Sequence, residues 1–391
     1  MPPFAALLIL SFTGSLASIM LSRGVYFFAE QVFRFDKAQN LWMGLGSGAA
    51  YIVGAMPSHA FAHRLGERRL ILLLIVAQVA VMAAMGVHTR PWLVVGGLLV
   101  FQVLNGMMWP VVESYVGAGR SPVATSKALG HFNVTWCSTV PVGMIITGVI
   151  VEEAPRWLFI SGAILFVITL ALAGFIAARP AHIEHDHPDR PPASQMLHFR
   201  ALLISSRWVM LYSYTLLFLL LPMMPALFKE LGHSTAGAAA LGSTFDWLRV
   251  FTFIGLGVYV GWHSRAGLQW LTIVLLPAGF IPIMLGTLVF KSTLMVIFGA
   301  AVFGFAAGLA YYAALYYAMV VKNAAVDAGG GHEAFIGLGY TLGPAVGLIG
   351  HYVGQMNNVP YEVGMIGGIV VLVIICTIGA VRPLLASRRG E

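Results

Sequence analysis

The sequence predicts an all-α membrane protein with twelve transmembrane helices in two six-helix pseudo-repeats. Twelve stretches of about 20 mostly apolar residues follow one another, and a helix needs roughly 20 residues to cross about 30 Å of hydrocarbon. Hydrophobic residues make up 59% of the chain and charged residues 9%, against about 25% charged in ordinary soluble domains. The twelve stretches use roughly 240 of the 391 positions, which leaves room for loops and one linker but not for a soluble domain.

The apolar stretches define the elements in chain order. We expect spans at 4–29, 38–61, 70–88, 91–113, 127–150, 156–178, 208–231, 236–262, 267–290, 293–321, 333–353 and 361–382. The one long polar connection, 179–207, is rich in Pro and charge, as linkers are. It separates an N-terminal half, 1–178, from a C-terminal half, 208–391, that ends in a short cytosolic tail.

The distribution of basic residues predicts the orientation. With the amino terminus inside, 14 of the 20 lysines and arginines outside the spans lie on the cytosolic side, where such residues concentrate. We therefore expect a multi-pass protein of the cytoplasmic (inner) membrane with both termini in the cytosol. The net charge of +7 is then a topology signal, which removes the reason to expect nucleic acid as a partner. The apolar run from Phe4 lacks a cleavage site and is expected to act as its own insertion signal.

The two halves repeat short patterns at equivalent spans. Leu-Gly-Ser occurs at 45–47 in span two and at 241–243 in span eight, and each span ends in a basic turn. Span five has Pro-Val-Gly at 141–143, and span eleven has Gly-Pro-Ala-Val-Gly at 343–347. Two parallel repeats of this kind are the arrangement that alternating access requires.

The basic turn after span two carries the most specific resemblance. The run from His63 to Arg69, His-Arg-Leu-Gly-Glu-Arg-Arg, resembles the Asp-Arg-x-Gly-Arg-Arg turn of the major facilitator superfamily, with His in place of Asp and Glu in place of one Arg. The run 337–347 is similar to a glycine–proline motif of antiporters in that family, although there it lies in span five. The resemblance covers the whole chain and implies a transporter that rocks its two halves around a central cavity.

Charges predicted inside the membrane are candidates for function because burying them there costs several kcal/mol. Asp246 and Arg249 lie three residues apart in span eight, on one helical face. They form either a structural pair or a coupling site at which Asp246 exchanges a proton. Arg23 in span one either snorkels to the outer headgroups or reaches an anionic substrate. The excess positive charge of these three residues favours an organic anion.

Glu113 ends span four at the predicted cytosolic side, at the depth of Arg64 and Arg68 in the basic turn. The resemblance implies that an acid here pairs with the arginine of the turn as a cytosolic gate. The alternative is an ordinary solvated helix end.

Polar and aromatic residues of spans four and ten are candidates for the cavity wall. Gln102, Asn105 and Trp109 lie in span four, and Tyr312 and Tyr316 share one face of span ten. Gln102 stands where related antiporters carry an arginine. Hydrogen bonds between helices and an aromatic belt at the interface are the structural alternatives.

The glycine–proline run of span eleven is expected to pack closely against a neighbouring helix or to serve as a hinge. Its members are Gly339, Gly343, Pro344 and Gly347. Glu333, near the start of the same span, is expected to stabilise the positive end of the helix.

The chain shows no pattern for a resident metal or cofactor. Histidines 182, 185, 187 and 198 are irregularly spaced, so a solvated linker is favoured over a metal-sensing one. Cys137 and Cys376 are isolated from each other and from other ligands. Nothing resembles a nucleotide-binding loop.

These observations predict a secondary transporter for a small organic solute, expected as a monomer in the lipid bilayer, with the proton as candidate coupling ion. Efflux of amphiphilic drugs is the alternative within transport. A transport-inactive sensor or scaffold is the alternative outside it. An enzyme is least favoured, because no nucleophile–base or metal constellation occurs in the sequence.

Overall fold

The computed structural model describes residues 3–181, 193–259, 261–321, 326–359 and 361–388. Within these ranges the regular structure is entirely helical. The helices are α1 (Pro3–Ser22), α2 (Gly24–Phe33), α3 (Lys37–Ala55), α4 (Ser58–Leu65), α5 (Glu67–Val87), α6 (Pro91–Gly117), α7 (Pro122–Glu153), α8 (Trp157–Ala173), α9 (Ala193–Leu220), α10 (Met224–Glu230), α11 (Thr235–Gly242), α12 (Thr244–Val258), α13 (Gly267–Leu288), α14 (Thr293–Val321), α15 (Val326–Asn357) and α16 (Tyr361–Arg388).

The all-helical membrane fold is confirmed, whereas the count of twelve spans stays a prediction. Nine helical segments of the described chain, with α1 and α2 taken as one, are long and apolar enough to cross a bilayer. Helix α8, with 17 residues, is too short to be counted among these nine. The predicted spans two and eight are each interrupted, at 56–57 between α3 and α4 and at Ser243 between α11 and α12. Pro57 accounts for the first interruption, since proline lacks the N–H that a helix interior needs.

Part of the predicted linker is helical. Helix α9 begins at Ala193, inside the range expected to be linker, because loss of hydropathy ends a membrane span but does not end a helix. Residues 182–192 lie outside the described residues, and with them histidines 182, 185 and 187 and the basic Arg190. Lys322 and Arg389, counted in the charge asymmetry, also lie outside them.

The packing inside each half follows one scheme. Helix α1 contacts α7 and α8 as α9 contacts α15 and α16 in the second half. Likewise α6 contacts α3 and α5 as α14 contacts α12 and α13. Gly106 of α6 lies directly against the backbone of Tyr51, and Gly308 of α14 lies against Thr252 of α12. A side chain at either glycine would collide with the neighbouring helix, so small residues set both helix crossings.

The outer surface of the bundle is apolar. Along α16, for example, the outward-facing residues Val363, Ile366, Val370 and Ile374 are each about half exposed. A soluble protein rarely leaves such a continuous apolar strip uncovered. This surface is therefore suited to contact with lipid acyl chains.

The two halves meet along α3–α15, α6–α15 and α7 with α11 and α12. We call the end of the bundle that holds the Gly66 turn and the connection at 118–121 the basic end. The other end, which holds the connections at 34–36 and 231–234, is called the far end. The basic end is the one that the charge pattern predicts to be cytosolic.

Candidate functional site

A cavity of about 130 Å³ lies between the two halves. This is close to the roughly 150 Å³ of an engineered cavity that holds benzene, so a small organic solute fits. The cavity-lining residues that carry polar or aromatic groups are Ser15, Ser18, Ser22, Arg23, Tyr51, Gln102, Asn105, Trp109, Glu113, Phe132, Trp136, Tyr214, Phe218, Arg249, Tyr311, Glu333 and Tyr340. Four of the six predicted cavity residues, Arg23, Gln102, Asn105 and Trp109, are among them.

Two broken helices bring together a buried ion pair whose arginine lines this cavity. Arg23 lies at the break between α1 and α2, and Asp246 lies in the first turn of α12 just after the break at Ser243. The aspartate thus lies at the positive end of α12, which stabilises its charge. Arg23 Nη1 donates to Asp246 Oδ2 at 2.6 Å. The pair joins the two halves across the cavity.

Arg249 supplies a second guanidinium at this site. Its Nη1 lies 3.5 Å from Asp246 Oδ1, so one carboxylate faces two arginines. The guanidinium packs 4.8 Å over the ring of Trp136. Arg249 is only 1% exposed; among the described residues its Nε has no hydrogen-bond partner, and its Nη1 has only the 3.5 Å ion-pair contact with Asp246. Donor groups of a buried cation are therefore available to a ligand in the cavity.

Hydrogen-bonded polar side chains continue the wall next to the arginines. Gln102 Nε2 donates to Tyr340 Oη at 3.1 Å, and the hydroxyls of Tyr340 and Tyr26 are 3.2 Å apart. Ser18 and Trp109 both donate to Asn105 Oδ1, at 3.1 and 3.0 Å. The polar groups of span four thus serve both the packing and the cavity surface.

The prediction that Tyr312 and Tyr316 line the cavity is wrong. Tyr312 donates its hydroxyl to the carbonyl of Ser126 at 2.5 Å, and Tyr316 stacks on His263 with 4.3 Å between ring centroids. Tyr311, one position earlier and therefore about 100° around the helix, is the tyrosine of α14 that faces the cavity. The two predicted tyrosines therefore lie on the helix that lines the cavity but not on its cavity-facing side.

Two buried carboxylates from different halves face each other towards the basic end of the cavity. Glu113 of α6 is 1% exposed, and Glu333 of α15 is 4% exposed. Tyr51 donates a short hydrogen bond to Glu333, and Tyr311 donates to Glu113 Oε1 at 3.3 Å. Side-chain atoms of the two glutamates and His332 lie within 4.8 Å of one another, so the two carboxylates are close neighbours.

The predicted gate pair between Glu113 and the basic turn is not formed in this conformation. Arg64 is exposed on α4, and Arg68 donates to the carbonyl of Ile176 at 3.3 Å. Glu113 instead points away from the turn, towards Tyr311 and Glu333. Position along the chain does not determine which side of the helix the carboxylate occupies.

The glycine–proline run of α15 lies in close helix contacts. A Cβ at Gly339 would lie 2.7 Å from Cβ of Tyr214, and one at Gly347 would lie 2.7 Å from Leu41. Gly343 lies against the backbone of α9, and Pro344 lies against Gly44 of α3. The close-packing alternative accounts for these contacts, whereas a hinge role is a matter of motion and stays a prediction.

Polar contacts join the two halves at both ends of the bundle. At the far end, Lys229 pairs with Glu30 at 2.7 Å, and the backbone N–H of Ala236 donates to Glu152 at 2.9 Å. At the basic end, besides the glutamates, His263 Nε2 lies 3.0 Å from Ser126 Oγ. Each of these contacts pairs a residue of one half with a residue of the other.

Sequence analysis missed several functional candidates. Tyr51, Trp136 and Tyr340 were not singled out, because polar aromatics are common in membrane helices and carry no motif. Glu333 was interpreted mainly as a helix-end charge and, after Asp246, as a further candidate for coupling. Its signal was available, since a carboxylate eight residues inside a 32-residue helix of a membrane bundle requires a partner.

Comparison with known proteins supports the architecture. The family model "Major Facilitator Superfamily" matches residues 4–331. The human organic anion transporter MFSD10 (TETRAN) has a similar structure, with a TM-score of 0.67 at 14% identity over 98% of this chain and 99% of that one. FucP, a transporter in the outward conformation, gives 0.63 at 13% identity over 98% and 99%. At these identities the likeness concerns the fold alone. No curated protein matches the sequence.

Proposed function

Since the chain belongs to the major facilitator superfamily, we propose that it is a secondary transporter that moves a small organic anion across the cytoplasmic membrane by alternating access. Both termini would lie in the cytosol. The main observation in favour of an anion is Arg249, a buried guanidinium on the cavity wall whose hydrogen-bond donors are not all satisfied within the described residues. Buried polar groups without partners are rare in folded proteins, and an anionic ligand would satisfy these.

The ion pair offers a route to proton coupling. Asp246 holds Arg23 and competes with an incoming anion for both guanidiniums. An anion that binds the arginines would leave Asp246 buried without a full partner, and a proton would neutralise it. Asp246 is thus the proposed coupling residue, and anion and proton would travel in the same direction.

A thermal-shift comparison of matched charged and neutral ligands tests whether the substrate is an anion. A ligand that binds only the folded protein raises its melting temperature. We expect small carboxylates, sulfonates or phosphates to stabilise the wild type, and their neutral amides or esters not to. Arg249→Gln should abolish this response, and Arg249→Lys should retain part of it. Arg265→Gln is the matched control, because Arg265 is exposed outside the cavity.

The outcome distinguishes two kinds of transporter. Stabilisation by neutral or cationic amphiphiles, unchanged in Arg249→Gln, would contradict the anion and favour drug efflux. The aromatic part of the wall, formed by Trp109, Trp136, Phe218 and Tyr340, would then be the binding surface.

A further inference from the structure

The two facing glutamates are not explained by binding of an anion. Glu113 and Glu333 are buried and belong to opposite halves. Within the described part of the chain, neither carboxylate forms an ion pair with a lysine, arginine or histidine. Glu113 Oε2 has no hydrogen donor at all. Two ionised carboxylates would repel each other strongly in this setting, and one shared proton turns the repulsion into a hydrogen bond.

We propose that Glu113 and Glu333 share one proton that holds the two halves together at the basic end, and that loss of this proton opens the cavity there. The proposal rests on the proposed function only because an alternating-access transporter must open at this end.

The surroundings favour a proton over a metal ion. Tyr51 and Tyr311 each donate a hydrogen bond to one of the carboxylates, which occupies oxygens that a cation would need. Arg207 stacks over Phe335, and its Nη2 would lie 2.7 Å from a Cβ at Gly331. The positive charge of Arg207 therefore lies close to His332, where it disfavours a divalent cation.

The other titratable side chains around the two glutamates are a tyrosine and a histidine. Tyr214 of α9 also faces this part of the cavity, and the imidazole of His332 packs edge-on against Tyr311 at 4.8 Å. Both His332 nitrogens are buried without partners. The first turn of α15 packs tightly against Glu113, since a Cβ at Gly329 would lie 2.8 Å from Glu113 Oε2. Separation of α15 from α6 would therefore expose both carboxylates to water at once.

The sign of the pH dependence follows from where the proton is bound. The closed state holds one proton that the open, hydrated state releases. Raising the pH therefore favours opening, and the equilibrium between closed and open changes by up to about tenfold per pH unit. Lowering the pH favours the closed state.

Cysteine labelling without any substrate measures this opening. Ser58 is buried where α4 meets the start of α15. The variant Ser58→Cys therefore reports separation of the two halves at the basic end. Arg265→Cys, which is exposed, corrects for the intrinsic effect of pH on thiol reactivity. The native Cys137 and Cys376 are buried, and labelling of the parent protein gives their background.

We expect relative labelling of Ser58→Cys to be low at acidic pH and to rise severalfold or more as the pH increases. Glu113→Gln and Glu333→Gln each keep a hydrogen-bonding amide but remove the shared proton, so in both variants labelling should stay low at every pH. Having two variants protects the test against misfolding of one of them.

Three results would overturn the proposal. These are wild-type labelling independent of pH, a pH response that persists in both glutamine variants, and labelling that follows Zn²⁺ or EDTA instead of pH. The last result would assign the pocket to a cation. Because no anion is present, failure of the anion proposal would leave this measurement unaffected.

Discussion

The buried ion pair between the halves makes the sharpest prediction about stability. Asp246→Asn removes the carboxylate that lies 2.6 Å from Arg23 and 3.5 Å from Arg249, and leaves two buried guanidiniums without it. Breaking a buried pair in this way costs about 3–5 kcal/mol. At about 2.1 cal/mol/K of unfolding entropy per residue, the 391-residue chain should lose roughly 4–6 °C in melting temperature.

The assay is thermal unfolding in detergent, followed by the fluorescence of the nine tryptophans. In the double variant Arg23→Gln, Asp246→Asn, the melting temperature should fall by less than the sum of the two single losses. The reason is that the second change removes a charge that the first left unpaired. Lys229→Gln is the control, because its partner Glu30 also lies in the other half but the lysine is 61% exposed. That pair should contribute less than about 1 kcal/mol. Equal effects of Asp246→Asn and Lys229→Gln, or strict additivity in the double variant, would refute the reasoning.

Three further predictions concern topology, packing and the cavity wall. Reporter fusions after Arg190 and at the carboxyl terminus should both score cytosolic, and a periplasmic score for either would contradict the twelve-span topology. Gly106→Leu should lower the melting temperature by more than Gly96→Leu, because a side chain at 106 meets the backbone of α3 whereas the space at 96 is open; overpacking costs about 1–3 kcal/mol, and equal effects would contradict the close contact. Tyr311→Phe should alter ligand-induced thermal shifts and Tyr312→Phe should not, so the reverse order would contradict the assigned cavity face.

The sequence was sufficient for the fold because the bilayer imposes strict requirements on it. Apolar runs long enough to cross, a single polar linker and the placement of Arg and Lys all follow from the cost of polar groups in hydrocarbon. The broken helices were not predicted. The interruptions at Arg23 and Ser243 lie next to the contact between Arg23 and Asp246, which joins residues far apart in the sequence.

The sequence indicated which charged residues belong to the site, but not which residues they contact. Arg23, Asp246 and Arg249 were selected because charge is expensive inside a membrane. That Arg23 pairs with a residue 223 positions away depends on how the halves meet, which local patterns do not encode. Glu113 was likewise selected, but the buried Glu333 opposite it replaced the expected arginine of the basic turn as its neighbour.

Alternating opening of the two ends is the central claim, and distances between spin labels across each end test it most directly. Labels at Val32 and Lys229 span the far end, and labels at Val123 and Arg265 span the basic end; all four positions are exposed. Changing the pH, or adding an anion that stabilises the protein, should lengthen the distance at one end while the other end stays short. Simultaneous widening of both ends, or no change at either end under any of these conditions, would contradict a transporter that works by alternating access.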